Sequence, residues 1–187
     1  NGAPNYGIEV GAGDVRVTCL DAVRLTNGAD TFLCSDIAEV YEAGEKLEPG
    51  DVVVWQPGIE RKVFKSTEPY ANGIAGIYST MPGILLGNED ASGSIGVEIG
   101  NSNTAQTIKR MADQQMPLAL AGRAPVKVTM EGGAVKPGDL LTSSSKPGYA
   151  MKAVKSGRVV GMAMESFGGK ANNAEKARDG KILCFVN

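Results

Sequence analysis

Asp36, Glu39 and Glu42 place three carboxylates three residues apart. Such a group could supply general acid–base chemistry or promote cleavage of the chain at an acidic residue. Ser143, Ser144, Ser145 and Lys146 run together, and Lys65 precedes Ser66, so the ingredients of a Ser-Lys dyad are present. That dyad is the familiar nucleophile arrangement that survives in a chain with no histidine, because a neutral lysine can take the serine proton. It needs a lysine desolvated enough to be neutral. Lys146, followed by Pro147-Gly148, is expected at an exposed turn, where it stays charged. The weak catalytic candidates are therefore Asp36, Glu39, Ser145 and Lys146, and no turnover of a small-molecule substrate is expected.

The absence of histidine also removes Ser-His-Asp and Cys-His sites, HExxH metalloprotease sites and the usual zinc and copper ligand sets. Gly11-Ala12-Gly13-Asp14 fails the dinucleotide fingerprint, because Arg16 stands where the next glycine belongs. Gly168-Gly169-Lys170 lacks both the upstream glycine and the Ser or Thr after lysine that a phosphate loop uses. Asn88-Glu89-Asp90 lacks the alternating acids and distal Glu of a calcium loop. No cofactor and no metal site are expected. Three cysteines, Cys19, Cys34 and Cys184, contain no CxxC pair. Cys19 and Cys34 lie in strand-like segments joined by Asn27-Gly28, so a hairpin could bring them to disulfide distance; the alternative is three buried thiols.

These groups need elements to hold them, and composition limits the choice. Among 187 residues, 25 glycines and 9 prolines make long helices a poor expectation, while 42% apolar residues suit a globular core. A formal charge of −2, with no basic run, excludes nucleic acid as an expected partner. No stretch of 18 apolar residues is present, so membrane insertion is not expected. The first residue is Asn1, which reads as a trimmed chain or, the favoured reading, a mature, processed product.

The sequence echoes itself. Leu47-Glu48-Pro49-Gly50-Asp51-Val52-Val53 returns as Val135-Lys136-Pro137-Gly138-Asp139-Leu140-Leu141, and a Lys-x-x-Lys-Ser follows each, at Lys62 to Ser66 and at Lys152 to Ser156. Gly73-Ile74-Ala75-Gly76-Ile77-Tyr78 then aligns with Gly157-Arg158-Val159-Val160-Gly161-Met162. Proline presets φ for the second position of a turn and glycine accepts φ > 0 at the third, so x-Pro-Gly-Asp reads as a type II turn launching a strand. The fold expected is all-β with one short helix. It consists of duplicated three-strand units, about 47–83 and 135–165, that form a barrel or sandwich over residues 36–187, with an N-terminal β arm or hairpin over 1–35.

The helix is predicted at Thr104 to Gln115, capped by Thr104 and stopped by Pro117. Strands are predicted at Ser94 to Ile99, Leu118 to Leu120, Val126 to Val128 and Lys181 to Val186, with a helical turn at Ala171 to Arg178. Asp36 to Glu42 reads as either a capping box or a strand. Trp55, at the end of the apolar run Val52-Val53-Val54-Trp55, is expected in the core.

Ser35-Asp36-Ile37-Ala38-Glu39-Val40-Tyr41-Glu42, Leu47 to Val53, Ile77 to Gly83, Ala121 to Val128 and Pro147 to Lys152 together carry a resemblance. Over residues 36–187 the chain resembles the C-terminal β-rich domains of bacterial surface, tail-fibre-like and phage appendage proteins, related to self-cleaving intramolecular chaperone domains. The resemblance implies an oligomeric extracellular part, sometimes released by autoproteolysis at acidic residues, with Asp36 and Glu39 matching the acidic motif.

The function expected is a structural subunit of an extracellular filament or phage-like appendage. It would be extracellular, on a cell surface or on a virion, with copies of itself as partners through strand or arm contacts. The alternatives are a self-processing appendage domain and a carbohydrate-binding surface module that takes a surface glycan through Tyr70 or Tyr149.

Overall fold

In the computed structural model, the first Pro-Gly-Asp segment forms a turn in which the Asp51 amide donates to the Glu48 carbonyl at 3.0 Å. The Glu48 amide donates back to Asp51 Oδ2 at 2.8 Å, and Gly50 has φ 92°. The second segment repeats all three features. Asp139 donates to the Lys136 carbonyl at 3.0 Å, Lys136 donates to Asp139 Oδ2 at 2.8 Å, and Gly138 has φ 90°. Both are type II turns, with glycine where an L side chain would be strained.

The structure describes residues 36–80, 82–89, 95–99, 114–168 and 180–186. Their strands are β1 (Asp36–Ala43), β2 (Val52–Trp55), β3 (Lys62–Lys65), β4 (Ile74–Tyr78), β5 (Ile84–Glu89), β6 (Ile95–Ile99), β7 (Gln115–Lys127), β8 (Leu140–Ser143), β9 (Ala150–Lys152), β10 (Gly161–Ala163) and β11 (Lys181–Val186). β1, β3, β2, β4 and β7 pair in that order, and β7 returns to β1, closing a five-stranded barrel. β5 adds parallel to β1, and β6 pairs antiparallel with β5.

Beyond β7 the order continues through β11, β10, β8 and β9. A parallel bridge between Val128 and Ala150, with the Thr129 amide donating to the Ala150 carbonyl at 2.8 Å, brings β9 back to the end of β7. The first barrel closes in the same way. Ala43 lies opposite Val63 in a parallel pair, and the Gly44 amide donates to the Val63 carbonyl at 2.9 Å. The C-terminal half is thus a second, smaller ring of the same design. β7 serves both rings: Gln115 to Gly122 pairs with β1, and Gly122 to Lys127 pairs with β11. Gly122, at φ 107°, lies where the strand passes from one to the other.

Strand registers set the correspondence between the halves. Val53 pairs with Lys65 and Gly76, and Leu141 pairs with Lys152 and Gly161. Lys65 therefore matches Lys152, and Gly76 matches Gly161. The Lys-x-x-Lys-Ser alignment is corrected by three residues and the glycine alignment by one. The loops of the two hairpins differ by a residue and the Lys-x-x-Lys-Ser strings start at different places in the sheet, so equal motifs do not mean equal positions. The repeated unit also has five strands rather than three, because β1 and the halves of β7 and β11 repeat without an obvious sequence signature.

Alternation along paired strands sends one set of side chains inward. Ala43, Val53, Val63, Met116 and Leu118 pack as one buried cluster in the first barrel, with Tyr41, Leu47, Ala75 and Tyr78 against it. The second barrel buries Val126, Val128, Leu141, Ala150, Ala163, Ile182 and Cys184. That cluster also takes in Val52, Ile77 and Ala119, the residues on the other face of the first barrel's strands. One barrel wall is therefore part of the other's core.

The all-β expectation holds. Residues 104–113 of the expected helix lie outside the described residues, but Gln115 begins β7, so the helix does not reach it. Pro117 does not end an element. It sits inside β7 opposite Val40, and its carbonyl accepts the Ser79 amide at 2.8 Å, a role that needs no N–H. The two strands expected at 118–120 and 126–128 are joined in β7. Asp36 to Glu42 is strand, and the strand expected over Ser94 to Ile99 is found as β6 at Ile95–Ile99. Trp55 is exposed rather than core. It ends β2 and packs edge-on against Tyr41, with ring centroids 5.3 Å apart. The N-terminal arm, Cys19, Cys34 and the helical turn at 171–178 lie outside the described residues.

Candidate functional site

Asp36 opens β1 and is buried. Desolvation raises its carboxyl from the ordinary 3.8 to about 6, against smaller opposing contributions from Ser79 and from its own backbone. Asp36 Oδ2 makes no hydrogen bond, and neither does the buried Ser79 Oγ, so the nearby hydroxyl stops short of a bond of normal geometry. The backbone around them is fixed: Gly83 donates to the Asp36 carbonyl at 2.9 Å, and Ser79 donates to Pro117. A carboxyl that is half ionised near pH 6, with one uncommitted oxygen, can give or take a proton.

Glu39 does not join it. Positions 36 and 39 fall on opposite faces of a strand, and Glu39 Oε2 accepts the Tyr41 hydroxyl at 2.7 Å. That bond, with burial and the Glu39 charge, raises the Tyr41 pKa. Glu42 pairs with Lys62 at 3.6 Å on the surface. Ser145 and Lys146 are neighbours that turn to different partners. Ser145 donates its amide and hydroxyl to Glu131 Oε2 at 2.9 and 2.7 Å, and the Lys146 ammonium lies 3.6 Å from the Tyr149 ring centroid. Ser143 Oγ bridges the Glu68 carbonyl and the Ala71 amide, and Ser144 Oγ donates to the Tyr149 carbonyl. Ser66 Oγ is buried without a hydrogen bond. The side chains of Asn88 and Glu89, and residue Asp90, lie outside what the structure describes, and among the described residues no group of three acidic or sulfur ligands gathers.

Both aromatic rings considered for sugar stacking carry a lysine. Lys155 lies over Tyr70 at 4.7 Å, and Lys146 and Lys127 lie over Tyr149 at 3.6 and 5.7 Å. The Tyr70 hydroxyl accepts the Val154 and Lys155 amides at 2.7 and 3.1 Å, which ties the first barrel to the second.

A charge cluster that no sequence motif marks lies between the barrels. Lys127, at the end of β7, donates to Asp51 Oδ1 at 2.7 Å and to Glu48 Oε2 at 2.6 Å, and Lys65 approaches Asp51 Oδ2 at 3.7 Å. Burial alone would lower the Lys127 pKa, but the bonds and charges of Asp51 and Glu48 outweigh it and raise the value. Lys127 holds the exposed Glu48 below its ordinary range. Asp139 pairs, among the described residues, with Lys152 at 2.9 Å, whose hydrogen bond lowers its pKa. The PGD echo was the available signal for both turns; the partner Lys127, 76 residues from Asp51, had none. Cys184 is a buried free thiol pushed by desolvation to about 12.

No family model matches the chain. No curated protein matches it either. Two solved structures are similar. The C-terminal fragment of bacteriophage phi29 gene product 12 superposes with a TM-score of 0.48 at 18% identity, over 81% of this chain and 98% of that one. The pre-mature bacteriophage phi29 gene product 12 gives 0.49 at 16% identity, over 84% of this chain and 22% of that one. At these scores and identities the likeness carries no argument about what this chain does.

Proposed function

We propose that the chain is a structural subunit of an extracellular or virion appendage that works by associating with copies of itself. The observation that carries this is the open sheet edge. β6 pairs with β5 on one side and, among the described residues, with no strand on the other. An unpaired edge is a template for a strand from a neighbour. The formal charge of −2 offers little resistance to self-association. Light scattering and negative-stain microscopy of the chain at high concentration, beside a deletion of residues 1–13, test the reading. Oligomers or filaments from the intact chain support it, and a monodisperse monomer removes it.

Asp36 favours a second reading, self-processing at an acidic residue, because its carboxyl is buried, titrates near neutrality and keeps a free oxygen. Intact-mass time courses between pH 5 and 8 test it. Fragments that appear from the wild type and not from Asp36→Asn support the reading, and a wild-type chain that stays whole at every pH refutes it.

A further inference from the structure

We propose that the outer face of the second barrel, formed by Leu140, Val159, Met162 and Phe185, is where a second copy of this chain docks through the same four residues. The inference rests on the reading of the chain as a self-associating subunit, and it names the surface used. Leu140 pairs with Met162, and Met162 with Phe185, so their side chains form a continuous row across β8, β10 and β11. These residues are 46%, 42% and 43% exposed, and Val159 beside them is 43% exposed.

The first barrel shows what this row is for. There Val52 pairs with Ile77, and Ile77 with Ala119, in the matching registers. Counting back two residues from the matched glycines Gly76 and Gly161, Ile74 corresponds to Val159. Val52, Ile77 and Ala119 are buried, with Ile74 packed against them, because the second barrel covers the row. At the four matched positions the second barrel carries Leu, Val, Met and Phe where the first carries Val, Ile, Ile and Ala. The face has therefore kept its apolar character, at equal or larger total size, while losing its intramolecular cover among the described residues. A contiguous exposed apolar row of this kind marks an interaction surface.

The same comparison shows which surface of the second copy meets it. If the internal contact were repeated, the next copy's first barrel would sit on the row. Lys127, which pairs with Asp51, would then be replaced by its counterpart Glu42, facing Asp139. Gly148, where a Cβ would overlap Asp51 Oδ1, would be replaced by Arg61. Two carboxylates would face each other, and a side chain would stand where the internal contact requires none. Head-to-tail repetition of that internal contact is thus blocked. The contact proposed instead is the apolar row meeting itself about a symmetry axis, a closed contact between identical patches.

The test is Met162→Glu, at the centre of the row, with Val154→Glu as a control at a 67% exposed site off it. Light scattering should show wild type and Val154→Glu as the same oligomer and Met162→Glu as a smaller species, with unchanged circular dichroism. As a second measurement, Met162→Cys should form an intermolecular disulfide on mild oxidation, and Val154→Cys should not. An oligomer that survives Met162→Glu, or no cross-link at 162, overturns the proposed surface while leaving self-association intact. A wild-type chain that is monomeric overturns both.

Discussion

Asp51 and Asp139 occupy the same place in the same turn, so replacing each by alanine separates what burial adds from what the turn itself needs. Each substitution removes one 2.8 Å hydrogen bond from the backbone amide three residues earlier, about 1 kcal/mol in either copy. The Asp139 side chain is 22% exposed and pairs with a Lys152 that is 31% exposed, so losing that pair adds up to about 1 kcal/mol. The Asp51 side chain is 1% exposed, and its loss strips the main partner from Lys127, which is 11% exposed. Breaking a buried pair from one side costs about 3–5 kcal/mol, because the remaining charge stays desolvated. Asp51→Ala should therefore destabilise by at least ~2 kcal/mol more than Asp139→Ala in equilibrium urea unfolding with matched slopes. Adding Lys127→Met to Asp51→Ala should recover part of the loss, since it removes an ammonium left with the exposed Glu48 alone. Equal losses from the two alanine variants, or no recovery in the double variant, would refute the claim that the inter-barrel pair is held as a buried ion pair.

Asp36 has its folded pKa raised, from 3.8 to about 6, so the folded state holds more protons than the unfolded state between those values. Its contribution is most favourable below about pH 4 and falls by roughly 3 kcal/mol as pH rises through 6. Asp36→Asn should thus gain stability over wild type between pH 4 and 7, and parallel urea midpoints at the two pH values would contradict this. Gly161 and Gly76 are matched, but a Cβ on Gly161 would overlap the Phe185 carbonyl, whereas one on Gly76 would meet Leu118 Cδ1 at 3.0 Å and the Ala119 carbonyl at 3.1 Å, a crowding that a shift of a few tenths of an ångström relieves. Gly161→Ala should lower the melting temperature more than Gly76→Ala, and the reverse order counts against the register. Cys184, buried with its thiol raised to about 12, should resist alkylation at pH 8 until the chain unfolds, as site-resolved mass spectrometry would show; rapid labelling of the folded chain counts against its burial.

Local chemistry was legible in the sequence; partnership across the sheet was not. Pro49-Gly50-Asp51 and Pro137-Gly138-Asp139 announce their turns because φ constraints act within four residues. The Lys-x-x-Lys-Ser echo is equally plain, yet it misplaces the matching lysines, because strand register and not the motif brings Lys65 to Asp51 and Lys152 to Asp139. Pro117 reads as a stop because an interior proline breaks a helix. It is tolerated in β7 because its carbonyl alone is used toward Ser79. Asp36 stood out as an acid, but its burial, and its separation from Glu39 across the strand, are properties of the closed barrel.

The shared strand also fixes an order of events during synthesis. β7 completes the first barrel once residue 122 has been made, yet the wall carrying Val52, Ile77 and Ala119 stays uncovered until β11, at 181–186, arrives to finish the second. A nascent chain at that stage presents the same apolar row that the finished protein displays only on its other half. Ribosome-bound intermediates of this length are the stage at which sticking between chains is most favoured, and a chaperone that shields that row acts during a window about 60 residues long, which the ribosome crosses in roughly 3–12 s.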